Sequence, residues 1–303
     1  MEIVNANMLT NNLIQNLSVD QARMSRFENE ISSGQSINQP SDNPAGVQQE
    51  LRLQKLLAQN QQYQTNAQNA AGFLQETGSA LSTLIDILNK ADQLAVEGAN
   101  GTMNASDRQN LATQVGALFQ QAVQTGNTRF GSTYVFGGTQ DVLPPYILEP
   151  TGTIQDNSNG LALNREVGPG IVLAVNTQGS PLLNNPTPSA TSPPGVFQVL
   201  QQLQNDLAQN NTAALASDLT AVQGALERVT VASTKSGSTL DEVNQQLTRL
   251  TNQSALLQQL DTQTAGADTA KVIADFENVA NSYRQALAAG AQIIQPSLMQ
   301  FLK

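Results

Sequence analysis

Between Leu56 and Ala95 the chain alternates steps of four and three residues without a slip: Leu56, Asn60, Tyr63, Ala67, Ala70, Leu74, Thr77, Leu81, Leu84, Leu88, Ala91 and Ala95. A heptad spacing of this kind gathers its apolar members on one seam of an α-helix, and a seam is stable only when another seam covers it. The spacing predicts a helix from about Pro44 to Glu97, roughly 80 Å long at about 1.5 Å per residue. Gly72 and Gly78 fall inside it. Each weakens an interior helix by about 1 kcal/mol and is a candidate for close packing or a bend.

The same period recurs on both sides. Leu13, Leu17, Asp20, Met24, Phe27 and Ile31 form an earlier seam with one polar member, on a helix ending near Ser33. After the turn "GANGTMNASD", Leu111, Val115, Leu118, Ala122 and Thr125 form a third. Toward the C-terminus come Leu215, Leu219, Val222, Leu226 and Val229, then Leu240, Val243, Leu247, Leu250, Ser254 and Leu257, and then Val272, Phe276, Val279, Tyr283 and Leu287. With 39% hydrophobic residues, 4% aromatics and no Trp, the chain suits narrow helical seams better than one large globular core. The expected fold is mainly α with a β-rich insert. N- and C-terminal segments form an elongated antiparallel helical bundle, and a small β domain sits in the middle.

The period changes to two at "RFGSTYVFGGT", which predicts a hairpin near 129–139 with Phe130, Tyr134 and Phe136 on one face. From 141 to 194 the composition shifts to Pro, Gly, Asn and Thr with short β-like runs such as "GIVLAVNT". The expected divisions are an N-terminal assembly helix and joint over 1–43 and a helical bundle core over 44–140 and 195–287. A β-rich outward insert occupies 141–194, and a C-terminal assembly tail occupies 288–303, where Pro296 is expected to interrupt the last helix.

The segment "ISSGQSINQPSDNPAG", Ile31 to Gly46, is a strongly specified helix break. Gly34 can close a helix from the left-handed region and Pro40 opposes continuation. Either Asp42 or Asn43 can cap the next helix, with Pro44 in its first turn. These five residues form the expected joint.

Catalytic and cofactor chemistry finds little material. There is no His and no Cys, which removes thiol nucleophiles, imidazole acid–base catalysis and most zinc sites. Asp141, Glu149, Asp156 and Glu166 read as solvated loop charge rather than a catalytic pair, "VGPG" as a turn, and "QDNSNG" lacks the spacing of a calcium loop. No cofactor and no enzymatic activity are expected. The net charge is −10 with isolated basic residues, so nucleic acid is not an expected partner. No apolar run is long enough for membrane insertion, and the N-terminus lacks the pattern of a cleaved signal peptide.

The two ends carry apolar side chains with no evident place inside a single bundle. Met8, Leu13, Leu17, Met24, Phe27 and Ile31 at one end, and Ile293, Ile294, Leu298, Phe301 and Leu302 at the other, are the candidate subunit interface. Stapling to each other within the monomer is the competing reading.

The break "ISSGQSINQPSDNPAG", the hairpin "GSTYVFGGTQ" followed by "PPY", and the ending "NSYRQALAAGAQIIQPSLMQFLK" resemble the bacterial flagellin superfamily. The form "QPSDNPAG" is more similar to its hook-associated members than to filament flagellins. The resemblance covers roughly 1–145 and 195–303. It implies a non-enzymatic building block, exported without a cleaved signal through the flagellar type III channel and working outside the cell. Its implied partners are copies of itself in a ring, the first hook-associated protein on the hook side, flagellin on the filament side, and an export chaperone. A filament-forming flagellin is the alternative, and a coiled-coil signalling or adhesion module a more distant one.

Overall fold

The computed structural model describes residues 2–140, 142–189 and 192–301, with side chains described between 8 and 291. Its helices are α1 (Glu2–Ser33), α2 (Pro44–Gly98), α3 (Ala105–Gly126), α4 (Gly179–Leu183), α5 (Val196–Ala208), α6 (Leu215–Ala265) and α7 (Thr269–Phe301). Between α3 and α4 the described residues form three antiparallel hairpins. They pair β1 (Arg129–Phe130) with β2 (Thr133–Tyr134), β3 (Tyr146–Leu148) with β4 (Ile154–Asp156), and β5 (Asn164–Gly168) with β6 (Ile171–Ala174). The fold is therefore mainly helical with its β-structure in the middle of the chain.

The chain packs as two compact units, residues 1–59 with 253–303 and residues 60–252. Helices α2 and α6 contribute residues to both.

The larger unit, 60–252, is built on the α2 seam. Ala67, Leu81, Leu84, Leu88, Ala91 and Ala95 are fully buried there, and they pack with Leu215, Val222, Val229 and Val243 of α6 and with Val115 and Ala122 of α3. The two polar members of the seam are buried as well, and each donates one hydrogen bond, while Asn60 Oδ1 is left without a partner. Asn60 Nδ2 donates to the Leu250 carbonyl at 2.8 Å, and Thr77 Oγ1 donates to the Phe73 carbonyl at 2.8 Å. The seams expected at 215–229 and 240–257 lie on the single helix α6, with Ser236 buried between them. Gly72 admits the Phe130 ring, whose tip would lie 2.8 Å from an added Cβ; no contact accounts for Gly78.

Three expectations need correction. The hairpin does not align Phe130 with Tyr134. Its register pairs Arg129 with Tyr134 and Phe130 with Thr133, so the two aromatic rings fall on opposite faces. The alternation was counted along the chain, but a two-residue turn at Gly131–Ser132 reverses direction and inverts the parity. Phe130 packs edge-on against Phe73 with centroids 6.1 Å apart, whereas Tyr134 lies under the Arg129 guanidinium at 4.6 Å.

The stretch 141–194 is not an outward appendage. Tyr146, Val167, Val175, Leu182 and Leu183 belong to the same buried cluster as the helical seams. Tyr146 packs on Phe197 of α5 at 5.0 Å, and Asn127 at the end of α3 pairs with both the N–H and the carbonyl of Tyr146, at 3.0 and 2.7 Å. Single apolar residues in a polar, loop-rich stretch carry no period, so composition concealed their burial.

The last helix, α7, also continues through Pro296 to Phe301. The proline ring fixes φ near a helical value, so the chain can stay helical there while giving up the hydrogen bond of the missing N–H.

The smaller unit pairs α1 with α7. Leu13 lies against Gly290, where an added Cβ would meet its Cδ2 at 2.6 Å, and Gly34 bonds with Ala267, so the two helices run antiparallel. The first turns of α2 and the last of α6 complete the unit, joined by Gln49 Nε2 to Thr264 Oγ1 at 3.3 Å. Its buried apolar residues include Ile37, Leu53, Leu257, Ala265, Val272 and Ala280.

Candidate functional site

Every expected joint residue has a distinct place in the break between α1 and α2. Gly34 adopts φ +69° and donates its N–H to the Glu30 carbonyl at 2.9 Å, ending α1 as a left-handed cap. Pro40 occupies a tight turn closed by Asp42 N–H to the Gln39 carbonyl at 3.0 Å. The Asp42 carboxylate accepts the N–H groups of Asn38 and Gln39 at 3.1 and 2.8 Å. Asn43 is the N-cap of α2, its Oδ1 accepting the Gly46 N–H at 3.0 Å, and Pro44 takes the first helical position, where a missing N–H costs nothing. Of the two cap candidates, Asn43 caps the helix and Asp42 organises the turn before it.

The break also has a mate that the sequence reading missed. Gln35 and Gly266 form an isolated antiparallel bridge between the α1–α2 and α6–α7 breaks. Ser36 donates its N–H to the Ala265 carbonyl at 2.7 Å, and the Gly34 carbonyl accepts the Ala267 N–H at 3.0 Å. A helix end leaves carbonyls without partners, and here each break supplies donors to the other. Asp268 then starts α7, accepting the Lys271 N–H at 3.2 Å. Ile37, buried in the joint, packs where a side chain at residue 46 would sit, since an added Cβ on Gly46 would meet its Cδ1 at 2.6 Å. The signal for Ile37 was a lone aliphatic residue in a polar loop; the signal for 265–268 was the Gly followed by Asp between two long seams.

A polar cavity of about 200 Å³ lies beside the joint, between Ser25, Arg26 and Asn29 of α1 and Asn38, Gln39 and Asp42 of the loop. On its α1 side Arg26 Nε pairs with Glu30 at 2.8 Å, and Glu30 is buried. Among the described residues no cluster of His, Cys, Asp and Glu could hold a metal ion, and no helix is long and apolar enough to cross a membrane.

The candidate interface residues divide into groups. Leu13, Leu17, Met24 and Phe27 are half-buried on α1, while Met8 and Ile31 are exposed. Leu9, Ile14 and Val19 are exposed on the same helix, as are Ile273 and Leu287 on α7. Ile293, Ile294, Leu298, Phe301 and Leu302 lie outside the described side chains.

Residues 4–141 match the bacterial flagellin N-terminal helical region. Over that stretch, which includes the capped break, the chain is similar to the bacterial flagellins. The chain is also similar to flagellar hook-associated protein 3. The Salmonella typhimurium protein of that name is 23% identical over 245 residues, which cover 80% of this chain and 74% of the relative. The crystal structure of flagellar hook-associated protein-3 from Legionella pneumophila has the same fold, with a TM-score of 0.61 at 13% identity over 70% of this chain and 97% of that one. A flagellin from Clostridium tyrobutyricum is 29% identical over 126 residues, covering 42% of this chain and 33% of the flagellin.

Proposed function

We propose that the protein is a structural subunit of the bacterial flagellum, external to the cell, that forms the junction between a hook-associated ring and the flagellin filament. The observation that carries this reading is the α1–α7 pair. The two chain ends are zipped antiparallel, yet Leu9, Ile14 and Val19 on one helix and Ile273 and Leu287 on the other keep large apolar side chains in solvent. A folded chain that leaves such surface uncovered on its terminal helices suits assembly into a larger body. Copies of the chain arranged in a ring would cover it, with a hook-associated protein below and flagellin above as the axial partners and an export chaperone as the partner before assembly. Met8, Leu13, Leu17, Met24, Phe27 and Ile31 and the tail residues Ile293, Ile294, Leu298, Phe301 and Leu302 are the proposed contact set.

The test is electron microscopy of cells lacking the protein. Hooks without filaments, with flagellin lost to the medium and attachment restored by the wild-type chain, are the expected result; normal filaments would overturn the reading. The second reading, a filament-forming flagellin, draws on the similarity to the Clostridium flagellin over 126 residues. It requires the purified chain to polymerise indefinitely, whereas a junction subunit stops at a short closed assembly.

A further inference from the structure

The turn between α2 and α3 holds a reactive pair that the proposed assembly does not use. Asn100–Gly101 and Asn159–Gly160 are the two Asn–Gly pairs of the chain. In such a pair the glycine nitrogen can reach the asparagine side-chain carbonyl, because no Cβ stands in the way. The two pairs are held very differently.

Asn100 and Gly101 are exposed, with nothing within 4 Å of where a Cβ on Gly101 would sit. Asn100 Oδ1 accepts both the N–H of Thr102 at 3.1 Å and its Oγ1–H at 2.9 Å. By contrast, Asn159 is tied down at both ends of its amide. Its Oδ1 accepts the N–H groups of Thr139 and Leu161 at 3.0 and 3.2 Å, and its Nδ2 donates to Thr139 Oγ1 at 2.7 Å. Ring closure at Asn159 must first break that fastening.

The product at Asn100 would form beside an unusual neighbour. Arg108 is buried, with 4% of its surface exposed, and its guanidinium is satisfied by neutral acceptors: the carbonyls of Gly98, Met103 and Asn100 and the Oδ1 of Asn210. The bond from Arg108 Nη2 to the Asn100 main-chain oxygen is 2.8 Å.

We propose that Asn100 is a self-modification site in the folded protein, converting through a succinimide, and that Arg108 directs the opening toward isoaspartate. The Gly101 nitrogen gives its proton to water and bonds to Asn100 Cγ. Negative charge collects on Oδ1, where the two Thr102 donors already point. The Cγ–Nδ2 bond then breaks, and ammonia leaves after taking a proton from water. One water opens the ring. Attack at the main-chain carbonyl, polarised by Arg108, routes the chain through Cγ and leaves the former main-chain oxygen as a free carboxylate facing the guanidinium. A buried cation with neutral partners thereby gains a counter-charge, at the cost of an extra methylene in the turn.

The test incubates folded protein in mildly alkaline buffer at physiological temperature, then denatures and digests it with trypsin. Asn100 and Asn159 fall in separate peptides, 91–108 and 130–165. Conversion at Asn100 is expected to be roughly tenfold faster than at Asn159 in the folded chain, with the two rates similar in urea. Equal folded rates, or faster conversion at Asn159, would overturn the site. Thr102→Val, which removes the hydroxyl donor and keeps the N–H, should slow Asn100 severalfold; an unchanged rate would remove the hydroxyl's role. The share of isoaspartate at Asn100 should be higher in folded protein than in urea, where Arg108 is no longer held there, and an equal share would remove Arg108 from the mechanism.

Discussion

The carbonyl oxygen of Gly34 accepts the N–H of Ala267 at 3.0 Å. Through this bond the break that ends α1 and the break that precedes α7 become a single structure, so the angle at which the N-terminal helix leaves α2 is set together with the angle at which the C-terminal helix leaves α6. A joint made in this way depends on backbone conformation at a few positions, and those positions can be tested singly.

Gly34→Ala tests the left-handed cap. With φ at +69° and nothing within 4 Å of an added Cβ, the substitution is strained in the backbone without any clash. It should lower the stability of the smaller unit by about 1 kcal/mol, read as an earlier urea transition in protein that keeps its helical circular dichroism. No shift would mean that the joint relaxes freely.

Asn43→Ala removes the acceptor for the Gly46 N–H and should cost about 1 kcal/mol, whereas Asn43→Asp should retain most of it. Replacing Pro40 and Pro44 together with Ala should leave helicity unchanged. Neither proline is what stops the helix, since Gly34, the Asp42 turn and the Gln35–Gly266 bridge hold the break open. A gain in helical signal would show that the prolines alone interrupt it.

Leu183 has none of its surface exposed and lies in the core shared with the helices. Leu183→Ala should destabilise the larger unit by about 2–5 kcal/mol, and deleting 148–190 should abolish its cooperative unfolding. A deletion variant that melts as sharply as the intact chain would make the stretch a separable module.

Asp218, in the first turn of α6, is pushed up to about 6 from 3.8, by burial first and by the neighbouring Asp206 carboxylate second. Asp206 is itself buried and accepts hydrogen bonds from Gln202 and Asn211 at 2.6 and 2.7 Å. An acid whose folded pKa is raised binds its proton more tightly when folded. Stability should therefore fall as pH rises from about 3.8 to about 6, and stay flat in this respect above that window. Asp218→Asn should raise the melting temperature at neutral pH and flatten the profile across the same window. A variant no more stable than wild type at neutral pH would show that the Asp218 charge is solvated.

The heptad spacing predicted α2 and most of its buried seam, although Leu56 is exposed and a second row off the seam, Phe73, Ala80, Ile87 and Leu94, is buried too. The same holds for the third helix, for both seams of α6, and for the break at Gly34 and Pro40, whose residue types carry their own backbone restrictions; which of Asp42 and Asn43 caps α2 was decided by the structure. These are local properties, legible within a few turns of chain. Tertiary structure decided the remainder. The bridge from Gln35 to Gly266 joins positions with no shared period, and the burial of Tyr146 and Leu183 depends on surfaces supplied by α3 and α5. The face of Phe130 was lost at a two-residue turn that inverts strand parity. The physical reason is common to all three: a spacing rule reports which side chains share a face of one element, while which faces meet is set by the chain's reversals and by long-range contacts that leave no periodic trace.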